Sequence, residues 1–105
     1  MIFVETPVFT RQITALADDE TYSELQQELV RDPEAGDIIK GAGGIRKIRI
    51  AAKGHGKRGG ARVIYYYFVS ESRLGMLLAY PKNERDDLTA AQKKTLVRII
   101  EVWRQ

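Results

Sequence analysis

The chain has 105 residues, 44% hydrophobic and 30% charged, a balance typical of one globular domain rather than a disordered chain. It contains no cysteine, which excludes disulfides, thiolate metal ligands and a thiol nucleophile. There is no apolar run near the ~20 residues that a membrane span needs, and Met1–Glu5 lacks the basic start and apolar stretch of a signal peptide. We therefore expect a cytoplasmic protein with a single domain over residues 1–105.

A first short strand is predicted at residues 2–4. Thr6 followed by Pro7 predicts the N-cap and first position of a helix. A second helix is expected to begin at residues 18–19, where aspartates can cap it, and to end at Asp32-Pro33. The glycine-rich stretch 33–44 is interpreted as a turn-rich connection.

Three strands are predicted next, at residues 45–51, 61–69 and 74–80. The joins between them are short, which favours an antiparallel meander. A capping box formed by Thr89 and Gln92 then begins a final amphipathic helix. The predicted order is β-α-α-β-β-β-α, an α+β fold with helices packed on a small antiparallel sheet.

The net charge of +3 conceals a strong asymmetry along the chain. Residues 1–39 carry nine acidic and two basic side chains, whereas residues 40–62 carry eight basic and no acidic ones. A cluster of one sign focuses a field that attracts a polyanion. We therefore predict that the stretch from Lys40 to Arg62, called the basic segment below, binds an RNA backbone; a solvated basic face is the plainer alternative.

The stretch Gly54–Gly59 matches the letter pattern of a dinucleotide-binding loop, but it lies between two predicted strands rather than before a helix. We interpret it as a hairpin loop whose glycines allow unusual backbone angles. His55, the single histidine, is expected to be an exposed loop residue, and proton shuttling is the less favoured alternative. Without further histidines or cysteines it cannot form a familiar zinc site, so no metal or cofactor is expected.

The aromatic run Tyr65–Phe68 could stack on bases. Strand alternation, however, sends Tyr66 and Phe68 to one face and Tyr65 and Tyr67 to the other, so at least one pair belongs to the core. At most one of these tyrosines is expected to touch RNA.

Lys47 and Arg49 are two residues apart on a predicted strand, so both side chains project from one side of the sheet. Arg62, which begins the next strand, can lie beside them, and Lys82 at the end of the following strand can complete the patch. Converging cations suit a phosphate group and also a phosphorane-like transition state. The pattern alone leaves both a binding surface without chemistry and a catalytic site open.

Three stretches together resemble the RelE/HigB family of bacterial toxins: Gly43–Ile50, Gly56–Tyr66, and Tyr80–Glu84 followed by Asp87-Leu88. The likeness is strongest to the HigB branch, whose loop reads Gly-Lys-Arg-Gly-Gly. The resemblance implies a toxin that enters the ribosomal A site and cleaves mRNA, without a metal or cofactor, by attack of a ribose 2′-hydroxyl on the adjacent phosphate. It also implies a cognate antitoxin, of helix-turn-helix type, as partner.

The resemblance assigns Lys47 and Arg49 to the basic pair of the family's second strand and Arg62 to the scissile phosphate. Lys82 falls in the basic motif after the last strand, but Asn83 stands where some relatives have an arginine, and no tyrosine follows Tyr80. The general base is therefore left open. The candidates for it are Lys47, Tyr80, His55, Glu84 and Asp87.

Three further cations of the basic segment are expected to bind the wider RNA surface, ribosomal RNA included. With His55 these are Lys53, Lys57 and Arg58; Arg46 is expected on the side of Ile48, in a structural role.

Two other functions compete with the endoribonuclease. One is a ParE-like toxin that blocks DNA gyrase, against which the three cations Lys47, Arg49 and Arg62 argue. The other is a non-catalytic RNA-binding protein or phage-derived adaptor.

Overall fold

The computed structural model describes residues 1–53, 60–82 and 87–104. Within these ranges, five strands and three α-helices follow one another. They are β1 (Ile2–Glu5), α1 (Pro7–Leu16), α2 (Asp19–Arg31), β2 (Asp37–Ile38), β3 (Arg46–Ile50), β4 (Ala61–Phe68), β5 (Arg73–Pro81) and α3 (Ala90–Trp103). The α+β class and the three helices are as predicted.

All three helices begin at the caps that the sequence predicts. The Thr6 hydroxyl accepts a hydrogen bond from the Phe9 N–H at 3.0 Å, and Asp18 accepts one from the Thr21 N–H at 2.8 Å. At α3 the reciprocal capping box is present between Thr89 and Gln92. These bonds satisfy backbone donors that have no partner inside the helix, which fixes where each helix starts.

The five strands form one mixed sheet in the order β1-β5-β4-β3-β2. The consecutive pairs β2–β3, β3–β4 and β4–β5 are antiparallel, as predicted for the last three strands. The prediction of a wholly antiparallel sheet is wrong, because β1 pairs in parallel with β5, with Ile2 opposite Arg73. Two helices separate β1 from the rest of the sheet along the chain, and such a long connection allows parallel pairing.

Strand β2 was not predicted. It is two residues long, Asp37 and Ile38, and both are exposed. Periodicity needs a longer run than this to reveal a strand, so the pattern indicated only a turn-rich connection.

The sheet separates two hydrophobic cores. On one face α1 and α2 pack through Phe9 and Leu29, which are fully buried with Tyr65. On the other face α3 packs through Leu96 and Ile100. The predicted alternation of the aromatic run is confirmed, because Tyr65 and Tyr67 belong to the first core whereas Tyr66 and Phe68 belong to the second. Among the residues described, no helix is long and apolar enough to cross a membrane.

Candidate nucleic-acid interface

Strand pairing brings three cations of the basic segment together. In the β3–β4 register the Cα atom of Arg49 lies opposite that of Arg62, and Lys47 lies two residues further along β3. All three side chains line one cleft of about 420 Å³. Arg49 is exposed and Lys47 is partly buried, whereas Arg62 is 9% exposed at the inner end of the group.

The opposite wall of this cationic cleft comes from α2 and the segment after it. Glu28, Ala35, Gly36 and Asp37 line it there. A Cβ atom on Gly36 would lie 2.8 Å from the Lys47 carbonyl oxygen, so only glycine allows this segment to lie so close to β3.

Arg46 holds that wall in place. Its Nη1 donates to the Gly36 carbonyl at 2.8 Å and to the Glu34 carbonyl at 3.2 Å, and its Nη2 pairs with the Glu34 carboxylate at 3.1 Å. Arg46 therefore has the structural role expected for it, although its contacts are with the segment after α2.

Lys47 is engaged by a carboxylate from a distant part of the chain. Its Nζ donates to the Asp87 Oδ1 at 2.9 Å across 40 residues of sequence. The hydrogen bond from Lys47 is the main cause that lowers the pKa of Asp87, and the charges of Lys47, Lys93 and Arg62 lower it further. Asp87 is therefore an anion near neutral pH, lying where several cations of the protein converge.

Tyr80 and Lys82 lie on the far side of Arg62. Tyr80 is opposite Arg62 in the β4–β5 register and is 5% exposed, as part of the core under α3. Lys82 lies just past the end of β5, where its N–H donates to the Gly60 carbonyl at 3.0 Å. Unlike Lys47, Arg49 and Arg62, these two residues do not line the cationic cleft.

Lys53 is directed to α1. Its N–H donates to the Leu16 carbonyl at 2.8 Å, and its Nζ donates to the Thr14 carbonyl at 3.1 Å. A cation at the last carbonyls of a helix stabilises that end, so Lys53 has a structural partner besides its proposed RNA role. Five residues singled out from the sequence lie outside the described residues, namely His55, Lys57, Arg58, Asn83 and Glu84.

Within the described ranges there is no group of three or more metal-ligating side chains. What these residues bring together is positive charge, arranged in a cleft open to solvent and walled by backbone and two carboxylates. Such a group can bind a phosphate and stabilise charge that develops on it.

The fold and the site thus define a small α+β protein. It has two helices on one face of a mixed sheet, one helix on the other face, and a cationic cleft at the edge. Residues 9–104 match the family model of the RelE toxin of the RelE/RelB toxin–antitoxin system. Because this match covers nearly the whole chain, the protein belongs to the RelE toxin family.

Two solved structures have a similar fold. One is the isolated RelE toxin of E. coli, with a TM-score of 0.60 and 14% identity over 93% of this chain and 97% of that one. The other is a chain of the intact E. coli RelBE toxin–antitoxin complex, with a TM-score of 0.58 and 15% identity over 74% of this chain and 92% of that one. At such identities the likeness establishes the fold alone.

The sequence predicts that Lys47, Arg49 and Arg62 lie together, but it does not predict the residues that surround them. The pairing of Lys47 with Asp87 joins residues 40 positions apart, and no local pattern signals it. One feature of the sequence indicates the wall at Gly36. A glycine between the end of a helix and a strand often marks a close approach of two backbone segments.

Proposed function

We propose that this RelE-family toxin is a ribosome-dependent endoribonuclease that cleaves mRNA in the ribosomal A site and so inhibits translation in the cytoplasm. The observation that carries the proposal is the convergence of Lys47, Arg49 and Arg62 on one cleft. The HigB branch remains the proposed subgroup, on the Gly-Lys-Arg-Gly-Gly loop of the sequence.

The proposed reaction needs only groups of the RNA and of the chain. The ribose 2′-oxygen forms a bond to the adjacent phosphorus and gives its proton to a base. The bond from phosphorus to the 5′-oxygen then breaks, and that oxygen leaves as a hydroxyl after taking a proton. The products are a cyclic phosphate and a 5′-hydroxyl. Two negative charges gather on the phosphorus centre along this path, which is where preorganised cations lower the barrier most.

Three cations are assigned to the reacting phosphate. We assign Arg62 to the non-bridging oxygens, because it lines the cleft and is nearly buried between Arg49 and Tyr80. The exposed Arg49 and the partly buried Lys47 meet the phosphate from the solvent side. Of the described candidates for the base, Asp87 is a weak one, because its lowered pKa makes it a poor proton acceptor.

A neutralising antitoxin is part of the proposal. A cationic cleft open to solvent can bind an acidic or amphipathic segment of a partner, which would then cover the cleft. We propose a cognate antitoxin of helix-turn-helix type as that partner.

The test is to induce the chain and to map 5′-hydroxyl ends on mRNA recovered from translating ribosomes. We expect translation arrest and cuts within codons in the A site. The double variant Arg49→Ala/Arg62→Ala serves as the inactive control, and Arg98→Ala, on the exposed side of α3, controls for loss of one positive charge elsewhere. Toxicity with intact mRNA and accumulated DNA breaks would instead indicate gyrase inhibition.

A further inference from the structure

We propose that Asp87 is an internal competitor of RNA. In the free protein its carboxylate binds the ammonium group of Lys47, and it must leave that group before an RNA phosphate can bind there. The proposal rests on RNA binding by the cationic cleft, which is part of the proposed function. It requires no cleavage, and its test is chosen accordingly.

The ion pair itself has the geometry of a phosphate contact. The Lys47 Nζ lies 2.9 Å from the Asp87 Oδ1, within the range of charge-assisted hydrogen bonds to carboxylate or phosphate oxygens. A carboxylate oxygen presents the same acceptor and the same sign of charge to an ammonium group as a non-bridging phosphate oxygen does. Both therefore compete for one amine.

Cations from three elements also favour an anion at the position of Asp87. Lys47, Lys93 and Arg62 come from β3, α3 and β4, and all three contribute to lowering the pKa of Asp87. Arg62 and Lys47 line the cleft. An RNA phosphate drawn to this field thus meets a negative charge already in place.

The backbone at Asp87 is held, but its side chain is not enclosed. The next residue, Leu88, is 6% exposed in the core under α3, and Thr89 caps that helix. The Asp87 side chain is 68% exposed, compared with 29% for Lys47. A rotation of the Asp87 side chain into solvent therefore frees the amine without moving the fold, at the small cost typical of an exposed ion pair.

A competitor and a base make different predictions for the same variant. If Asp87 were the base, its loss would impair cleavage and leave binding unchanged. If Asp87 competes with phosphate, its loss frees Lys47 and strengthens binding. The variant Asp87→Asn distinguishes these because asparagine keeps the shape and removes the charge.

The experiment measures binding of a single-stranded RNA oligonucleotide with 2′-O-methyl riboses, which cannot be cleaved by 2′-hydroxyl attack. Affinity is followed by fluorescence anisotropy from about 20 to about 200 mM salt, where electrostatic binding varies steeply. The matched control is Asp37→Asn. Asp37 is an exposed acid that lines the same cleft opposite Lys47 in the β2–β3 register.

We expect Asp87→Asn to lower Kd by about two- to fivefold at low salt, the range that exposed ion pairs span. The slope of log K against log salt should steepen by roughly 0.7, because one more amine would release a counterion on binding. Asp37→Asn should change both quantities less.

Three results would overturn the proposal: unchanged or weaker binding by Asp87→Asn, equal tightening by Asp37→Asn, or no binding by the parent chain even at the lowest salt. Thermal unfolding of each variant checks that the fold is retained. Failure of ribosomal cleavage with a positive binding result would refute the proposed enzyme and leave the competitor in place, so the two failures are distinguishable.

Discussion

The hydroxyl of Tyr65 accepts a hydrogen bond from the backbone N–H of Gly36 at 2.9 Å, across 29 residues of sequence. The same hydroxyl donates to the Pro33 carbonyl at 2.9 Å. Burial raises the pKa of Tyr65, so the phenol keeps the proton that it donates. One core tyrosine thereby links the segment after α2 to β4. Because that segment forms the opposite wall of the cationic cleft, Tyr65 also holds this wall in place.

The first prediction concerns this tie. Tyr65→Phe keeps the ring and removes both hydrogen bonds, which leaves the buried Gly36 N–H without its phenol acceptor. We expect the free energy of unfolding to fall by about 1–3 kcal/mol, measured by urea denaturation. Tyr67→Phe, a half-buried tyrosine on the same face of β4, is the control and should cost less. Equal effects of the two substitutions would contradict a stabilising role of the Tyr65 hydrogen bonds.

The second prediction separates the cations of the cleft. Arg49→Ala should lower the rate of mRNA cleavage by roughly 10²-fold or more, as expected when a donor to a developing negative charge is lost. Its side chain is exposed, so the unfolding temperature should hardly change. Arg98→Ala is the matched control and should retain activity.

Arg62→Ala is expected to abolish cleavage, but this variant needs a second measurement. Arg62 is 9% exposed, and truncating so buried a side chain can leave a cavity. Arg62→Lys keeps one positive charge and much of the volume but loses the planar fork of donors. A folded Arg62→Lys variant with full activity would remove the guanidinium from the proposed site.

The third prediction uses the chain's single tryptophan as a probe. A Cβ atom on Gly75 in β5 would lie 2.5 Å from the Trp103 ring and 3.1 Å from the Phe68 ring. Gly75→Ala should therefore displace the indole from the sheet, shift its fluorescence emission to longer wavelength and destabilise the fold by about 1–3 kcal/mol. Gly41→Ala is the control. Its φ of +76° also disfavours alanine, but its Cβ meets nothing within 4 Å, so the emission should stay unchanged.

The fourth prediction is a pH dependence at the start of α2. The hydrogen bond from the Thr21 N–H lowers the pKa of Asp18 below its usual 3.8. A depressed pKa contributes stability that is present above the unfolded value and is lost as the pH falls through the folded one. Asp18→Asn, which can still cap, should therefore be less stable than the parent at about pH 7, and the difference should shrink as the pH falls through the folded-state pKa of Asp18.

Asp18→Ala provides the internal control for that series. Neither Asn nor Ala titrates, so the stability difference between these two variants should not vary with pH, and it measures the cap alone. Urea denaturation at several pH values gives both differences. A gap between the parent and Asp18→Asn that persists unchanged in acid would contradict the assigned cause.

Local chemistry explains what could be predicted from the sequence. Thr6, Asp18 and Thr89 each accept a hydrogen bond from a backbone N–H three residues on, so the start of each of these three α-helices is determined within one turn. The alternation of Lys47 and Arg49 is equally local and correctly places the two side chains in one cleft.

What could not be predicted depends on contacts between distant residues. The parallel pairing of β1 joins it to β5, about 70 residues later in the chain, and the two residues of β2 form a strand by pairing with β3. The contact of Asp87 with Lys47 spans 40 residues of sequence. The sequence shows that Asp87 is acidic and Lys47 is basic, but whether they pair depends on tertiary structure.

The parallel pairing of β1 with β5 has a consequence for synthesis. Arg73 follows its partner Ile2 by 71 positions, and such a long loop must close before the pair forms. A chain released early would leave Phe3 and Val4 on a strand with no neighbour, open to proteases and to aggregation. Synthesis of β5 is therefore a condition for β1 to join the sheet.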